Sequence, residues 1–284
     1  MIPSSFDYIR AASVEEAVGL LKEHGDEAKL LAGGHSLVPA MKLRLSTPGV
    51  LIDMSGIEGL KGITEAEGQV RIGALTTHRM LEDSELVRAK APLMAQAAAV
   101  IGDPQVRNRG TVGGSLAHAD PAADYPAALL ASGAQVVVQG PDGERVVEAG
   151  DFFVELFMTA LEPEELVTEV RVPVLPADTG ACYAKFPHPA SRFAVVGCAA
   201  QVTVAGGVCT AVRVAFTGVD NAAFRDGGVE AALEGQGTDA VAAAAANAAA
   251  DAEPLEDAFA DAEYRRHLAA VYAKRALEGA VAAV

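Results

Sequence analysis

Two short glycine turns, far apart in the chain, constrain it more than any other feature. Residues 32–36 read Ala-Gly-Gly-His-Ser, and residues 111–115 read Thr-Val-Gly-Gly-Ser. Adjacent glycines permit positive φ and let the backbone come close to a ligand, because no Cβ intervenes. Successive N–H groups in such a turn form a concave nest for an anion, and each serine adds a hydroxyl donor. One Gly-Gly pair alone is an ordinary turn. Two with matching serines, the first directly after the strand-like run Ala28–Leu31, point to paired nests for the phosphates of a dinucleotide. Two other phosphate-binding designs are excluded: no G-x-G-x-x-G opens a helix, and no G-x-x-x-x-G-K-[ST] occurs.

Cradling by backbone suits the charge of this chain. Its 22 Lys and Arg against 38 Asp and Glu leave a net charge of -16, which excludes nucleic acid as the expected partner. An apolar content of 51% supports a real core, and 284 residues suit two domains. Cys182, Cys198 and Cys209 lack the spacing of a zinc or iron–sulfur site and read as free thiols in a reducing compartment. The N-terminal MIPSSFDYIR shows no basic-then-apolar leader, and no uninterrupted apolar run reaches 18 residues. The expected location is the cytoplasm, without membrane insertion.

Local patterning predicts an α+β chain. Ser13-Val-Glu-Glu16 is a capping box ahead of a helix ended by Gly25. Short strands are expected at 28–31, 50–54 and 70–72, and helices from Thr77 and over 92–101. A hairpin follows over 135–147, then a strand at 166–172. Residues 175–180 (LPADTG) read as a linker; three antiparallel strands are predicted at 183–186, 194–204 and 208–217, and an alanine-rich helical region from Gly228 onward.

The longer segments AGGHSLVPAMKLRLSTPGVLIDMSGI and IGDPQVRNRGTVGGSLAHADPAADYPAALLA carry a resemblance. They are similar to the medium, FAD-binding subunit of the aerobic carbon monoxide dehydrogenase and xanthine dehydrogenase family, the molybdenum hydroxylases. The resemblance spans essentially the whole chain. It implies a FAD-binding domain of the vanillyl-alcohol-oxidase (PCMH) type over residues 1–176, with subdomains of about 1–55 and 56–176. A C-terminal domain over 177–284 would carry a three-stranded antiparallel sheet with a helical bundle.

By the same resemblance, Ala32, Gly33, Gly34, His35 and Ser36, with Thr111, Val112, Gly113, Gly114 and Ser115, would cradle the FAD pyrophosphate. Asp124, Val167, Lys185 and Phe193 would lie beside the cofactor. His35 stands where many relatives have Gln and reads as a polar support, since flavin reoxidation needs no base of this kind. For Asp124 the competing reading is a carboxylate at a helix N-terminus, and for Lys185 a snorkelling strand lysine. Arg107 and Arg109 either line a partner surface or are solvated. His118 and Asp120 are too few for a metal site.

The resemblance further implies a small [2Fe–2S] subunit and a large molybdopterin subunit as partners, as a dimer of heterotrimers. Electrons would reach FAD from the iron–sulfur clusters and leave to NAD, quinone or oxygen. A stand-alone FAD-dependent oxidoreductase of the same fold is the alternative. The substrate (carbon monoxide, aldehyde, purine or N-heterocycle) would be recognised on another chain.

Overall fold

The protein is described by a computed structural model covering residues 1–284. Its first sheet is parallel, formed by β1 (Asp7–Arg10), β2 (Ala28–Leu31) and β3 (Val50–Asp53) in the order β1-β3-β2. The apolar run VLID becomes the central strand, buried along its whole length, as a parallel sheet requires. The Val14–His24 helix crosses between β1 and β2. Its capping box forms with one residue of offset: Ser13 Oγ accepts from the Glu16 N–H, and the Glu16 carboxylate accepts from the Ala12 N–H. Because β2 is an edge strand, the chain leaves it at Ala32 with one side unpaired.

The second sheet is antiparallel. Its strands are β4 (Ile63–Ala66), β5 (Gln69–Gly73), β6 (Gln135–Gly140) and β7 (Gly143–Glu148). After the small hairpin β8 (Phe153–Glu155) and β9 (Met158–Thr159) comes β10 (Leu166–Pro173), which enters between β5 and β6. The predicted 135–147 hairpin is this β6–β7 pair, joined through Pro141 and Asp142. Helices Pro92–Val100 and Tyr125–Ser132 lie on this sheet, and the second of them is buried at every residue.

The third sheet runs β11 (Thr179–Pro187), β12 (Ala194–Ala205), β13 (Val208–Thr217) and β14 (Phe224–Arg225), all antiparallel. This corrects the expected three strands to four. Two-residue β14 is too short to show alternation, and is held where Phe224 packs on Phe216. A second correction concerns LPADTG, read as a linker: β11 already begins at Thr179.

Strand β12 is buried on both faces, and its alternating side chains divide the work. Ala199, with Ala181 and Ala215 from its neighbours, joins the core under the second sheet. Cys198, Ala200, Val202, Val214 and Phe216 face the long Ala262–Ala282 helix instead. That helix approaches closely through glycine: a Cβ on Gly180 would stand 1.9 Å from the Ala280 carbonyl oxygen. Small residues on the inner face let the third sheet settle against the Pro92–Val100 and Tyr125–Ser132 helices. Gln96 fastens this seam, donating to the Ala181 carbonyl and accepting from the Tyr183 N–H. No helix of the structure is long and apolar enough to cross a membrane.

Candidate functional site

The two glycine segments lie side by side, although some 80 residues separate them (Gly33 to Gly113). The reason is steric. A Cβ on Gly33 would meet the Arg109 carbonyl oxygen at 2.1 Å and Gly110 Cα at 2.8 Å. A Cβ on Gly113 would meet Ala74 Cβ at 2.6 Å. These two glycines therefore allow backbone to pack on backbone. Of the four loop glycines only Gly34 has positive φ, at 74°. Its conformation turns the chain from β2 into the Leu37–Leu43 helix.

In the first segment the N–H groups of Gly33, Gly34, His35, Ser36 and Leu37 have no acceptor within the chain. All five residues line one cleft. A row of adjacent unpaired donors at a concave surface is the nest expected for an anion. His35 is exposed, its Nδ1 lying 3.2 Å from the Gly33 carbonyl.

The second segment is not a nest, which corrects the sequence reading. It is the first turn of the Val112–His118 helix, with Thr111 as N-cap. Four of its five N–H groups are used: Val112 donates to the Thr76 carbonyl, Gly113 to Ala74, Gly114 to Thr111 Oγ1, and Ser115 to the Thr111 carbonyl, leaving only the Thr111 N–H without an acceptor. What it offers the cleft is surface: Thr111, Gly113, Gly114 and Ser115 line it, whereas Val112 points into the core and is fully buried.

The cleft encloses about 630 Å³ and is walled by all three sheets' connections. The Ile101–Gly102 turn, Thr159, Leu161 and Val167 line it from around the second sheet, and Ser191, Arg192 and Phe193 reach in from the β11–β12 loop. Asp124 lines it as well; Lys185 does not.

Asp124 and Lys185 instead form a buried pair, with Nζ 2.8 Å from Oδ2 and side chains 5% and 4% exposed respectively. Lys185 Nζ also donates to the Val100 carbonyl, so the snorkelling reading fails. Asp124 begins the Tyr125–Ser132 helix without capping it; its other oxygen accepts from the Tyr183 hydroxyl at 2.6 Å. Burial raises the Asp124 carboxyl above the usual range, opposed by the Lys185 charge and by hydrogen bonds from Lys185 and Tyr183. The same environment pushes the Tyr183 hydroxyl well up, so it stays protonated and donates.

The DPAAD segment that carries Asp124 is held by the C-terminal sheet. Thr217 Oγ1 donates to the Pro121 and Ala123 carbonyls in the two contacts it makes, Gly218 N–H to Pro121, and Ala194 N–H to Ala122. One hydroxyl has one proton, so the two Thr217 contacts share it.

Sequence reasoning missed His78, which lines the cleft while 95% buried (5% exposed). A strand-like bridge between Thr77 and Thr111 sets it beside the second segment. Burial is the chief cause of its low pKa, about 4, so its ring is neutral. Its only sequence signal was a histidine directly after a helix cap. Tyr183 was missed too. Arg107 is tied down within the chain: it pairs with Glu82 and donates to the Ile101 carbonyl. Arg109 is exposed. His118 lies against Phe157, their ring centroids 5.2 Å apart and the planes tilted by 44°.

The donor set fits a dinucleotide. Five clustered N–H groups match a doubly charged diphosphate without a lysine, and a cleft of about 630 Å³ lined by both polar and apolar side chains has room for a flavin. Comparisons agree. Residues 4–175 match the family described as FAD binding domain in molybdopterin dehydrogenase, and residues 181–280 match the CO dehydrogenase flavoprotein C-terminal domain. The carbon monoxide dehydrogenase medium chain of Hydrogenophaga pseudoflava is 45% identical, covering 99% of this chain and 98% of its own. The 6-hydroxypseudooxynicotine dehydrogenase complex subunit alpha of Paenarthrobacter nicotinovorans is 39% identical, covering 99% of this chain and 96% of its own. A chain of the reconstituted CO dehydrogenase from Oligotropha carboxidovorans superposes with a TM-score of 0.97 at 40% identity, over 100% of both chains. With these matches over its whole length, the chain belongs to the FAD-binding medium subunits of the carbon monoxide dehydrogenase and xanthine dehydrogenase family, oxidoreductase components whose cofactor is FAD.

Proposed function

We propose that this chain relays electrons within a molybdenum hydroxylase, receiving them from [2Fe–2S] clusters on a small subunit and delivering them to NAD, quinone or oxygen. Substrate would be oxidised on a large molybdopterin subunit, and the assembly would be a dimer of heterotrimers in the cytoplasm. The observation that carries the reading is the row of free N–H groups from Gly33 to Leu37 facing a cleft completed by the second glycine segment. FAD, when bound, supplies redox chemistry that links one-electron donors to two-electron acceptors.

Everything else is the work of this chain's residues. Ala32–Ser36 would hold the diphosphate by backbone donors, with the Ser36, Thr111 and Ser115 hydroxyls beside them. Gly113 and Gly114 would keep the opposite wall free of side chains. The Asp124 carboxylate, fixed by Lys185 and Tyr183, would present a rigid polar group at the cleft floor. Val167 and Phe193 would offer apolar surface to the flavin ring. Domain limits of 1–176 (with subdomains 1–55 and 56–176) and 177–284 accord with the three separate sheets. Relatives named for carbon monoxide and for 6-hydroxypseudooxynicotine match along nearly the whole chain, which supports placing substrate choice on another subunit.

Flavin-free chain reconstituted with FAD should show a bound-flavin absorption spectrum and no substrate turnover until small and large subunits are added. Turnover by the chain alone would favour a self-contained oxidoreductase. Failure to retain FAD, with the chain folded, would remove the reading altogether.

A further inference from the structure

His78 is nine-tenths buried and lines the cleft; its N–H donates to the Gly110 carbonyl, and its ring makes one hydrogen bond within the chain, between Nδ1 and the Tyr125 hydroxyl at 3.0 Å. The direction of that bond follows from satisfaction. Tyr125 is fully buried and its hydroxyl has no other partner. Were Nδ1 the protonated nitrogen, the phenol proton would have no acceptor in the interior. The phenol therefore donates, Nδ1 accepts, and the ring proton sits on Nε2. Burial holds the Tyr125 hydroxyl well above its ordinary pKa and keeps this donor intact.

Nε2 stands where the two glycine segments join. It lies 2.5 Å from the position a Cβ on Gly110 would take, and Gly110 Cα lies 2.8 Å from the corresponding position on Gly33. Imidazole, Gly110 and Gly33 are thus close neighbours, with Thr111 next in the chain. No atom of the chain accepts from Nε2. It is a fixed neutral donor, left over after the fold's own needs are met, at the seam where the free N–H groups gather.

Resting on the reading of this cleft as the FAD site, the geometry points to His78 as a further cofactor-binding residue, its Nε2–H donating to the diphosphate while Tyr125 sets the tautomer. A neutral donor at this place adds affinity without adding a cation, in keeping with a cradle built of backbone amides.

Two variants divide the ring's functions. His78→Asn leaves an amide near Nδ1 for Tyr125 and removes the cleft donor. His78→Gln carries an amide N–H near the Nε2 position and gives up the Tyr125 partner. Flavin-stripped full-length chain is titrated with FAD, ADP and riboflavin. The expected result is a loss of roughly ten-fold or more in FAD and ADP affinity for His78→Asn, the scale of one hydrogen bond to a charged acceptor. Riboflavin binding should be unchanged, and His78→Gln should restore most of the loss. Equal FAD and ADP affinity in His78→Asn and wild type would overturn the assignment, as would equal weakening by both variants, which indicates packing. If His78→Asn does not fold, ¹⁵N NMR of the wild-type imidazole decides: Nε2 should be protonated near neutral pH and its resonance should move on adding ADP. A Nδ1-protonated ring, or a resonance indifferent to ADP, refutes the inference. Wild-type chain that binds neither FAD nor ADP instead brings down the parent reading of the cleft, and this one with it.

Discussion

Replacing Lys185 with Met tests how the buried pair at the cleft floor is balanced. In the native chain the ammonium lies 2.8 Å from Asp124, with both side chains about 95% buried (4% and 5% exposed). At an effective dielectric near 20, that separation corresponds to an attraction of roughly 6 kcal/mol before desolvation. Removing one partner of such a pair costs about 3–5 kcal/mol, because the other charge remains buried. The Tyr183 hydroxyl still donates to Asp124, and the carboxyl can escape by taking a proton. From an ordinary value of 3.8, protonation costs about 1.4 kcal/mol per pH unit: roughly 1.6 at pH 5 and 6 at pH 8. Protonation is therefore the easier outcome at pH 5 and not at pH 8. The sign is set by a folded-state pKa raised above the unfolded one: the folded state binds more protons, so stability falls as pH rises between those two values. Lys185→Met is expected to lose about 4 kcal/mol at pH 8 and about 2 at pH 5. Guanidinium denaturation followed by far-UV circular dichroism at both pH values measures this. Adding Asp124→Asn should recover at least about half of the pH 8 loss. A loss under about 1 kcal/mol at pH 8, or a double variant no better than the single, would refute the argument.

Gly33→Ala should be worse than Gly34→Ala. The first drives a methyl into the Arg109 carbonyl, for about 3 kcal/mol and loss of FAD retention, while the second adds about 1–2 kcal/mol of left-handed strain against movable Leu31 and Val38 side chains; thermal shift with and without FAD separates them. Thr111→Val removes the cap of the Val112–His118 helix and should cost about 1 kcal/mol, read from the denaturation midpoint. His78, held at a pKa of about 4 against 6.5 in the unfolded chain, makes stability full above pH 6.5 and progressively lost as pH falls towards 4, by roughly 3 kcal/mol. A His78→Gln chain should show a flatter slope across that window in denaturation at pH 4.5 and 7.

Much of the frame was legible because it rests on local rules. The Ser13–Glu16 cap, the VLID strand and the β6–β7 hairpin each carry their signal within a few residues. Strand β1 was missed because DYIR is mostly exposed and does not alternate; its pairing with β3 alone makes it a strand. The Val112–His118 helix was hidden by its two glycines, which depress helix propensity, while backbone bonds to Ala74 and Thr76 from outside the helix hold it. At the site, resemblance named Asp124 and Lys185 separately. That they meet each other across 61 residues, with Tyr183 completing the trio, is a product of sheet register that no spacing in the sequence encodes.

The latching of DPAAD by the C-terminal sheet bears on how such chains can be taken apart and recombined. Carbonyls of Pro121, Ala122 and Ala123 find their donors in Thr217, Gly218 and Ala194, on the far side of the proposed 176/177 boundary. A fragment stopping at that boundary would carry those carbonyls, and Asp124 beside them, into water with nothing to hold them. Chimeras that join the front of one relative to the rear of another would have to match this handful of contacts before any flavin could be seated. The cut that looks natural in a domain diagram separates the cleft-lining Asp124 segment from the residues that hold it.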